Sequence, residues 1–300
     1  MEEANEAVHG VVEVKPSNAW RPDAAGIFFS LLLAMWGVVV AVLLKNGNTR
    51  LWQVFAAFVF FEGVNRTLDL YLRRRSEIVG GLTPAVYADF LNTSVSLVHS
   101  SIISLLVVGL MVKEAKVSGL PHMLSHDVLY NWTWPGAYTA LAISCGYFTY
   151  DQLDMIRKHL YSPKAPHLLV HHAVLLTCFT PALQLDSCIN YLILSLICEV
   201  HSIFLHLRKV KKLSSPENAR SAGGDTVTWV LNWIAFFSAR LFVHFWITGK
   251  LLWDASKFPR GFEWPLALTG MVGLNVLNVL LGQGLYKALM KERASSRRKD

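Results

Sequence analysis

Charged residues are scarce in this chain of 300 residues: 16% are Asp, Glu, Lys or Arg, whereas 53% are hydrophobic. About a quarter of the residues of a soluble domain are charged, so this balance excludes an ordinary soluble protein. Residues 24–44, AAGIFFSLLLAMWGVVVAVLL, contain no charge at all. A helix of that length crosses a hydrocarbon core of about 30 Å. The sequence therefore predicts a membrane protein.

Motifs that indicate several other functions are also missing. The sequence has no CxxC pair, no HExxH and no Cys/His spacing typical of zinc sites, so we predict no bound metal. It also lacks a G-x-S-x-G nucleophile elbow and a phosphate-binding loop. The four cysteines lie in or beside apolar runs and are expected to be free thiols. Basic residues are spread among short loops without an aromatic platform, which argues against nucleic acid as a partner.

Eight apolar runs are long enough to span a bilayer as helices. They are too long and too uniformly apolar for the strands of a membrane barrel, so an all-α polytopic membrane protein is predicted. The second run is the weakest, because Arg66 and Asp69 interrupt it. The predicted spans cover residues 24–44, 51–72, 90–112, 134–154, 166–183, 188–208, 229–252 and 264–288.

The distribution of positive charge predicts the orientation. With eight spans both termini lie on one side of the membrane, and that side carries 19 Lys and Arg residues against 7 on the other. Because cytosolic loops are rich in these residues, both termini are predicted to be cytosolic. Residues 1–23 and 291–300 are interpreted as cytosolic tails, and residues 214–225 as a long flexible loop. No Gly/Ser-rich linker divides the chain, so one membrane domain is expected.

Polar side chains within the predicted spans mark the candidate site. Ionisable groups inside a bilayer are costly and usually face the protein interior, so each one indicates function. Spacings of three, four and seven residues place them in stripes on single helix faces. The stripes contain Asn92, Ser96 and His99; Tyr147, Asp151 and Asp154; His167 and His171; Glu199, Ser202 and His206; and Asn232, Arg240 and His244. His172 lies about 100° round its helix from His171.

Helix geometry brings these stripes together in the cytosolic half of the membrane. His171 lies roughly 8 Å from the cytosolic end of its helix, Asp151 roughly 5 Å and Glu199 roughly 14 Å. We therefore predict a polar chamber within a ring of helices, open toward the cytosolic leaflet. Asp154 is expected to reach solvent instead.

Structural alternatives stay open for individual residues. A single histidine in a helix bundle is often a packing residue, and Glu199 and Arg240 would form a structural ion pair. The adjacent imidazoles of His171 and His172 favour a functional chamber, because with two carboxylates they supply more polarity than packing requires. An imidazole takes a proton or accepts an acyl group when a carboxylate such as Asp151 fixes its tautomer. His171, His172 and Asp151 are therefore the candidate catalytic residues.

Five polar stretches of the predicted spans occur in an order and spacing that resemble the TLC-domain family. This family groups ceramide synthases with translocon-associated and ceroid-lipofuscinosis membrane proteins, and the sequence is most similar to its calfacilitin-type members. The similarity covers about residues 85–290. The stretches are NTSVSLVHSSI (92–102), GYFTYDQLDMI (146–156), LVHHAVLLTCF (169–179), SLICEVHSIFLHLRKV (195–210) and WVLNWIAFFSARL (229–241).

The resemblance implies both a fold and a function. The implied fold is a six-helix TLC barrel at residues 85–290, preceded by two additional transmembrane helices at residues 24–84. The implied function is regulation of the fatty-acyl composition of membrane phospholipids, which limits polyunsaturated chains and membrane fluidity. The plasma membrane is the location implied, with the endoplasmic reticulum as the alternative. The residues that match the family's recurrent polar positions are His99, Asp151, His171, His172, Glu199, Asn232 and Arg240.

Three functions remain open from the sequence. The first is a lipid-composition protein whose chamber binds membrane lipids or acyl chains. The second is an acyltransferase related to ceramide synthase, with acyl-CoA as co-substrate and no other cofactor. The sequence departs from the synthases here, because Glu199 stands alone in CEVHSIFLH where they carry a His-Asp segment. The third is a cargo or trafficking receptor. The predicted chamber residues are His99, Asn92, Ser96, Tyr147, Glu199, Ser202, Asn232 and Arg240.

Overall fold

The computed structural model describes residues 23–75, 81–162, 166–214 and 226–296. Within these ranges the chain forms helices and no strand, which confirms the predicted all-α fold. The predicted N-terminal tail, most of the loop at 214–225 and the end of the C-terminal tail lie outside the described residues. The long helices are α1 (Ala24–Lys45), α2 (Trp52–Arg73), α3 (Pro84–Ser118), α4 (Ala137–Arg157), α5 (His167–Leu185), α6 (Ile189–Ser214), α7 (Thr226–Trp253) and α8 (Glu263–Ser296).

Local sequence sets where several of these helices begin and end. The Asp23 carboxylate caps α1 by accepting a hydrogen bond of 2.7 Å from the backbone N–H of Gly26. The Thr83 hydroxyl caps α3 in the same way, accepting from the N–H of Val86 at 3.4 Å. α3 ends at Ser118, and the residue that follows, Gly119, has a φ of 77°, a conformation that glycine adopts without strain. Capping side chains and a glycine therefore set the ends of these long apolar helices.

Helices α3 to α8 form a closed ring. Around the ring the order is α3, α4, α5, α8, α7 and α6, and α6 packs again on α3. The two N-terminal helices lie outside it: α1 packs on α4 and α5, and α2 packs on α3 and α4. This arrangement is the predicted six-helix barrel with two additional helices.

The helices run alternately up and down, so their ends meet at two faces. We call the face at which α1 begins and α8 ends the terminal face, and the opposite one the loop face. At the terminal face the Tyr161 hydroxyl donates to the Asp23 carboxylate at 3.2 Å. At the loop face Arg50 donates to Asp186 at 2.9 Å, which joins the α1–α2 connection to the α5–α6 connection. Contacts between distant connections at each face therefore establish the alternation.

Within the part of the chain that the structure describes, six helices are apolar and long enough to cross a membrane by length and composition alone: α1, α3, α5, α6, α7 and α8. The predicted spans in α2 and α4 are long enough but more polar. α2 carries two i,i+4 ion pairs in its second half. α4 carries acidic residues, but 17 of its 21 residues are buried because it packs on α1, α2, α3 and α5. The polar side chains of α4 therefore face protein rather than lipid.

The contact between α2 and α4 depends on Gly146. A Cβ atom at this position would lie 2.6 Å from the Cβ of Ala57 and would collide with the carbonyl oxygen of Val54. Gly146→Val is expected to lower the free energy of unfolding by about 1–3 kcal/mol, because it forces the two helices apart. Thermal unfolding in detergent measures this loss. Gly63→Val is the control, since a Cβ at Gly63 has open space around it; equal melting temperatures for the two variants would contradict the close contact.

Candidate functional site

The first polar group joins α3, α4 and α5 near the terminal face, and we call it the carboxylate cluster: Asn92, Asp151, Asp154 and His172. The Asn92 amide donates to Asp151 at 2.7 Å and to Asp154 at 3.1 Å. His172 Nε2 lies 3.4 Å from the other Asp151 oxygen. All four side chains are buried. Asp151 is thus held from two helices, and Asn92 fixes its orientation toward His172.

Asp154 lies in the buried interior of the carboxylate cluster, which the sequence did not indicate. The expectation that it reaches solvent is wrong, because only 1% of its surface is exposed. Besides Asn92, it binds the Lys158 ammonium at 3.0 Å and the Arg157 guanidinium at 3.3 Å. The helical spacing alone placed it one turn from the end of α4, and the neighbouring helices that cover it could not be deduced from that spacing.

A second polar group lies at the centre of the ring, around His99 of α3. The His99 ring stacks on Tyr147, with centroids 3.7 Å apart, and its Nε2 lies 3.4 Å from the Ser144 hydroxyl. His99 Nδ1 is 3.9 Å from a carboxylate oxygen of Glu199, which also accepts a 2.6 Å hydrogen bond from Ser100. This group connects α3 and α4 to α6. The nearby Ser96 is buried, but its hydroxyl donates to the backbone of its own helix at 3.0 Å.

The third group, which we call the arginine network, joins α6, α7 and α8. Arg240 is buried, and its Nε donates to His201 Nδ1 at 3.0 Å. Its Nη2 donates to the Ser202 hydroxyl at 2.7 Å and to a backbone carbonyl of α6. Its Nη1 donates to the amide oxygen of Asn278 at 3.3 Å. The Asn278 amide in turn donates to His244 Nδ1 at 2.7 Å, because the other nitrogen of that ring faces the Ser195 carbonyl at 2.9 Å.

Two features of the arginine network differ from the sequence prediction. Within the described ranges, Arg240 makes no ion pair within 4 Å, so the alternative of a direct pair with Glu199 is wrong. Its partners are neutral acceptors, and two of them, His201 and Asn278, were not among the residues predicted from the sequence.

Arg240 also lies in a π-helical segment, Phe236–Phe242, a local irregularity frequent at functional sites. Asn232, one of the predicted chamber residues, is fully buried, and neither of its amide atoms has a hydrogen-bond partner in the described part of the chain.

The adjacent histidines face different surroundings. His172 is 3% exposed and points toward α4, where Asp151 and Phe148 surround it. His171 is only half-buried, and its ring forms no hydrogen bond to any residue that the structure describes. The 100° between neighbouring helical positions explains this division. One imidazole therefore belongs to the carboxylate cluster, and the other remains free to contact a ligand.

An apolar cleft lies in the half of the ring nearer the loop face, between α5, α6, α7 and α8. The empty space in and at the mouth of the cleft is about 700 Å³, which includes open solvent. Its walls are almost entirely apolar, and the sequence did not predict it. The lining residues are Val174, Leu175, Cys178, Phe179, Pro181, Ala182, Leu185, Ser187, Cys188, Tyr191, Leu192, Ser195, Ile247, Leu251, Phe262, Glu263, Leu266, Ala267, Gly270, Met271 and Leu274.

The cleft and the arginine network share one face of α7. Arg240, His244, Ile247 and Leu251 are all buried and follow one another at helical spacing. The last two line the cleft, and the first two continue the same face toward the terminal face. Ser195 of α6 lines the cleft and accepts the hydrogen bond from His244. The inner end of the cleft therefore abuts the arginine network.

A charged cluster closes the ring at the loop face, beside the mouth of the cleft. The fully buried Asp254 carboxylate binds Lys250 and, at 2.7 Å, Lys257, and it lies 3.7 Å from His126 Nδ1. Burial alone would raise the pKa of Asp254, but the two lysines outweigh it and hold that pKa below its usual value. Burial lowers the pKa of His126, so its ring is neutral at pH 7. This cluster ties α7 to the connection between α3 and α4.

Comparison with known proteins agrees with this arrangement. A profile of the TLC domain matches residues 89–285. TLC domain-containing protein 2 from Homo sapiens is 30% identical over 200 residues, which cover 64% of this chain and 67% of that protein. The Mus musculus protein of the same name is 30% identical over 185 residues, or 61% and 49%. The Danio rerio protein is 27% identical over 154 residues, or 51% and 60%.

The matched region thus spans from about half to two thirds of these relatives. No solved structure matches the chain.

Proposed function

Because the chain belongs to the TLC-domain family, whose members are membrane proteins linked to lipid metabolism, we propose that it binds the acyl chain of a membrane lipid and thereby regulates the fatty-acyl composition of phospholipids. The membrane concerned is the plasma membrane or the endoplasmic reticulum. The observation that carries the proposal is the apolar cleft between α5 and α8, which ends at buried polar groups. Ligand sites are commonly concave and predominantly apolar, as this cleft is.

The physics of a lipid-facing cleft favours selection among acyl chains. An acyl chain that moves from the bilayer into the cleft exchanges one apolar environment for another, so little hydrophobic free energy is gained. Selectivity must then come from how well the chain fills the cleft, because dispersion contacts are lost wherever a gap remains. Saturated and polyunsaturated chains differ in shape. A protein with such a cleft therefore has a physical basis for altering which chains enter membrane lipids.

Filling the cleft tests the proposal. Ala267 of α8 lines the cleft, and Ala267→Trp would occupy the space of a bound chain. In cells that lack the protein, the wild type is expected to restore the phospholipid acyl profile, whereas Ala267→Trp leaves it as in the deletion. Val272→Trp adds the same side chain on the half-exposed outer side of α8 and is the matched control. With equal protein levels, full restoration by Ala267→Trp would contradict acyl binding in the cleft.

Acyl transfer is the second candidate, and one observation favours it. His172 and Asp151 are 3.4 Å apart, Asn92 holds the carboxylate, and His172 Nδ1 has no hydrogen-bond partner among the described residues. A histidine oriented by a carboxylate is suited to act as a general base. Purified protein incubated with acyl-CoA and lysophospholipid would then form a new phospholipid, and His172→Ala would form none. No product from the wild type would exclude this candidate.

A further inference from the structure

The two ends of the cleft offer a ligand different chemistry. The open end lies at the loop face, where Leu185 and Phe262 are 48% and 56% exposed and Glu263 also lines the cleft. The closed end lies deeper, at Ser195 and at His244, whose ring donates to the Ser195 carbonyl. The distance along α5 from Leu185 to Val174 is about 16 Å, enough for much of one acyl chain. A lipid that enters this cleft must therefore place either its tail or its head at the closed end.

Hydrogen-bond accounting shows that the closed end does not suit a polar head group. Both ring nitrogens of His244 are engaged, one with the Ser195 carbonyl at 2.9 Å and the other with Asn278 at 2.7 Å. The Ser195 hydroxyl donates to the Leu192 carbonyl at 2.7 Å. A head group placed here would lose its water without gaining a partner, which is strongly unfavourable. The hydrocarbon end of a chain carries no such cost.

The open end carries a carboxylate, that of Glu263. Glu263 is half-buried, accepts a hydrogen bond from the Tyr130 hydroxyl and lies near Cys188, and it forms no ion pair within 4 Å in the described ranges. Burial, with the charge of Glu263, raises the pKa of Tyr130 to about 12, so this neighbour stays a neutral phenol. The first turn of α8 favours an acidic residue electrostatically, but that preference does not require the side chain to line the cleft. A carboxylate at an apolar mouth attracts an ammonium group.

We propose that the cleft takes a phospholipid from the leaflet at the loop face, tail first, with the ammonium of its head group at Glu263. This inference rests on the proposed function and specifies the lipid class and its orientation. This orientation is also incompatible with acyl transfer in the cleft. Transfer at His171 or His172 needs the carbonyl carbon of the acyl chain near those histidines, whereas tail-first binding places the methyl end at the closed end. With the termini cytosolic as predicted, the leaflet concerned is the lumenal or outer one.

Photocrosslinking of the full-length protein in phosphatidylcholine vesicles tests the orientation. Two phosphatidylcholine probes carry a diazirine, one near the methyl end of the chain and one near the ester. The methyl-end probe is expected to label Val174, Ile247 and Leu274, and the ester-end probe Leu185 and Phe262. The opposite pattern would overturn the inference while leaving lipid binding in the cleft intact. No labelling of the cleft by either probe would overturn the proposed function as well.

A comparison of two lipid head groups tests whether Glu263 binds the ammonium group. Glu263→Gln is expected to lower cleft labelling by the phosphatidylcholine probe about two- to fivefold, the usual range for losing one charge interaction near a surface. Labelling by a phosphatidylglycerol probe, whose head group lacks an ammonium, should not fall. Glu114→Gln, at a half-buried carboxylate near the loop-face end of α3, is the control. Equal phosphatidylcholine labelling of wild type and Glu263→Gln, with unchanged melting temperature, would refute the head-group assignment.

Discussion

Replacing Arg240 by methionine is expected to lower the free energy of unfolding by about 3–5 kcal/mol, as when one partner of a buried charged network is removed. The guanidinium joins His201, Ser202 and Asn278, and these lie on two different helices, α6 and α8. Without it, their buried acceptors lose a donor and have no water to replace it. Methionine keeps much of the volume, so the loss reports the hydrogen bonds rather than a cavity.

Thermal unfolding in detergent measures this loss of stability. Two further variants show whether the loss comes from the hydrogen bonds of Arg240. Arg240→Lys keeps the charge but cannot match the planar fork, so an intermediate loss is expected. Arg66→Met is the matched control, because the Arg66 side chain is 74% exposed and its ion pair with Glu62 lies along its own helix. A melting temperature of Arg240→Met equal to that of Arg66→Met would contradict the arginine network.

Replacing Asp151 by alanine is expected to have the second largest effect, a loss of about 2–4 kcal/mol. Asn92 would lose its acceptor at 2.7 Å, and the buried His172 ring would lose the carboxylate oxygen that lies 3.4 Å from its Nε2. Asp151→Asn should cost much less, because the amide oxygen still accepts from Asn92 and the amide N–H can face His172. Thermal unfolding of the two variants gives the comparison.

The same pair of variants separates structure from catalysis. A purely structural Asp151 predicts that the Asn variant supports the wild-type phospholipid acyl profile. A catalytic His172–Asp151 pair predicts that the Asn variant folds but loses acyl transfer, since a neutral amide cannot stabilise a protonated imidazole. Equal instability of Asp151→Ala and Asp151→Asn would contradict the hydrogen-bond arrangement around Asn92.

The sequence predicted the helices well because the physical signal is strong. Uncharged runs such as residues 24–44 must form membrane helices, and the structure has a long helix at each predicted span. Periodicity also indicated which polar residues share a helix face, and it separated His171 from His172 by about 100°. The six-helix barrel was implied by the family resemblance, and the order of the helices around it was not predicted, since periodicity says nothing about which helices are neighbours.

Other parts of the site could not be predicted from spacing. The burial of Asp154 depends on the helices packed around α4, and the role of Asn278 depends on where α8 meets α7. Asn278 also gave no signal in the sequence, because its predicted span contains no Asp, Glu, His, Lys or Arg between Glu263 and Lys287 that would mark a polar stripe. The cleft is made of ordinary apolar residues from four helices, and nothing in their sequence distinguishes them from lipid-facing residues. Gly146 carries no signal of its own without the α2 backbone beside it.

Native mass spectrometry of the purified protein tests acyl-chain binding in the cleft most directly. The wild type and Val272→Trp are predicted to retain a bound lipid through mild detergent exchange, whereas Ala267→Trp retains none, because the indole fills the cleft. The retained lipid should be identified by its acyl chains. If Ala267→Trp retains the same lipid in the same amount as the wild type, the cleft is not where the chain binds.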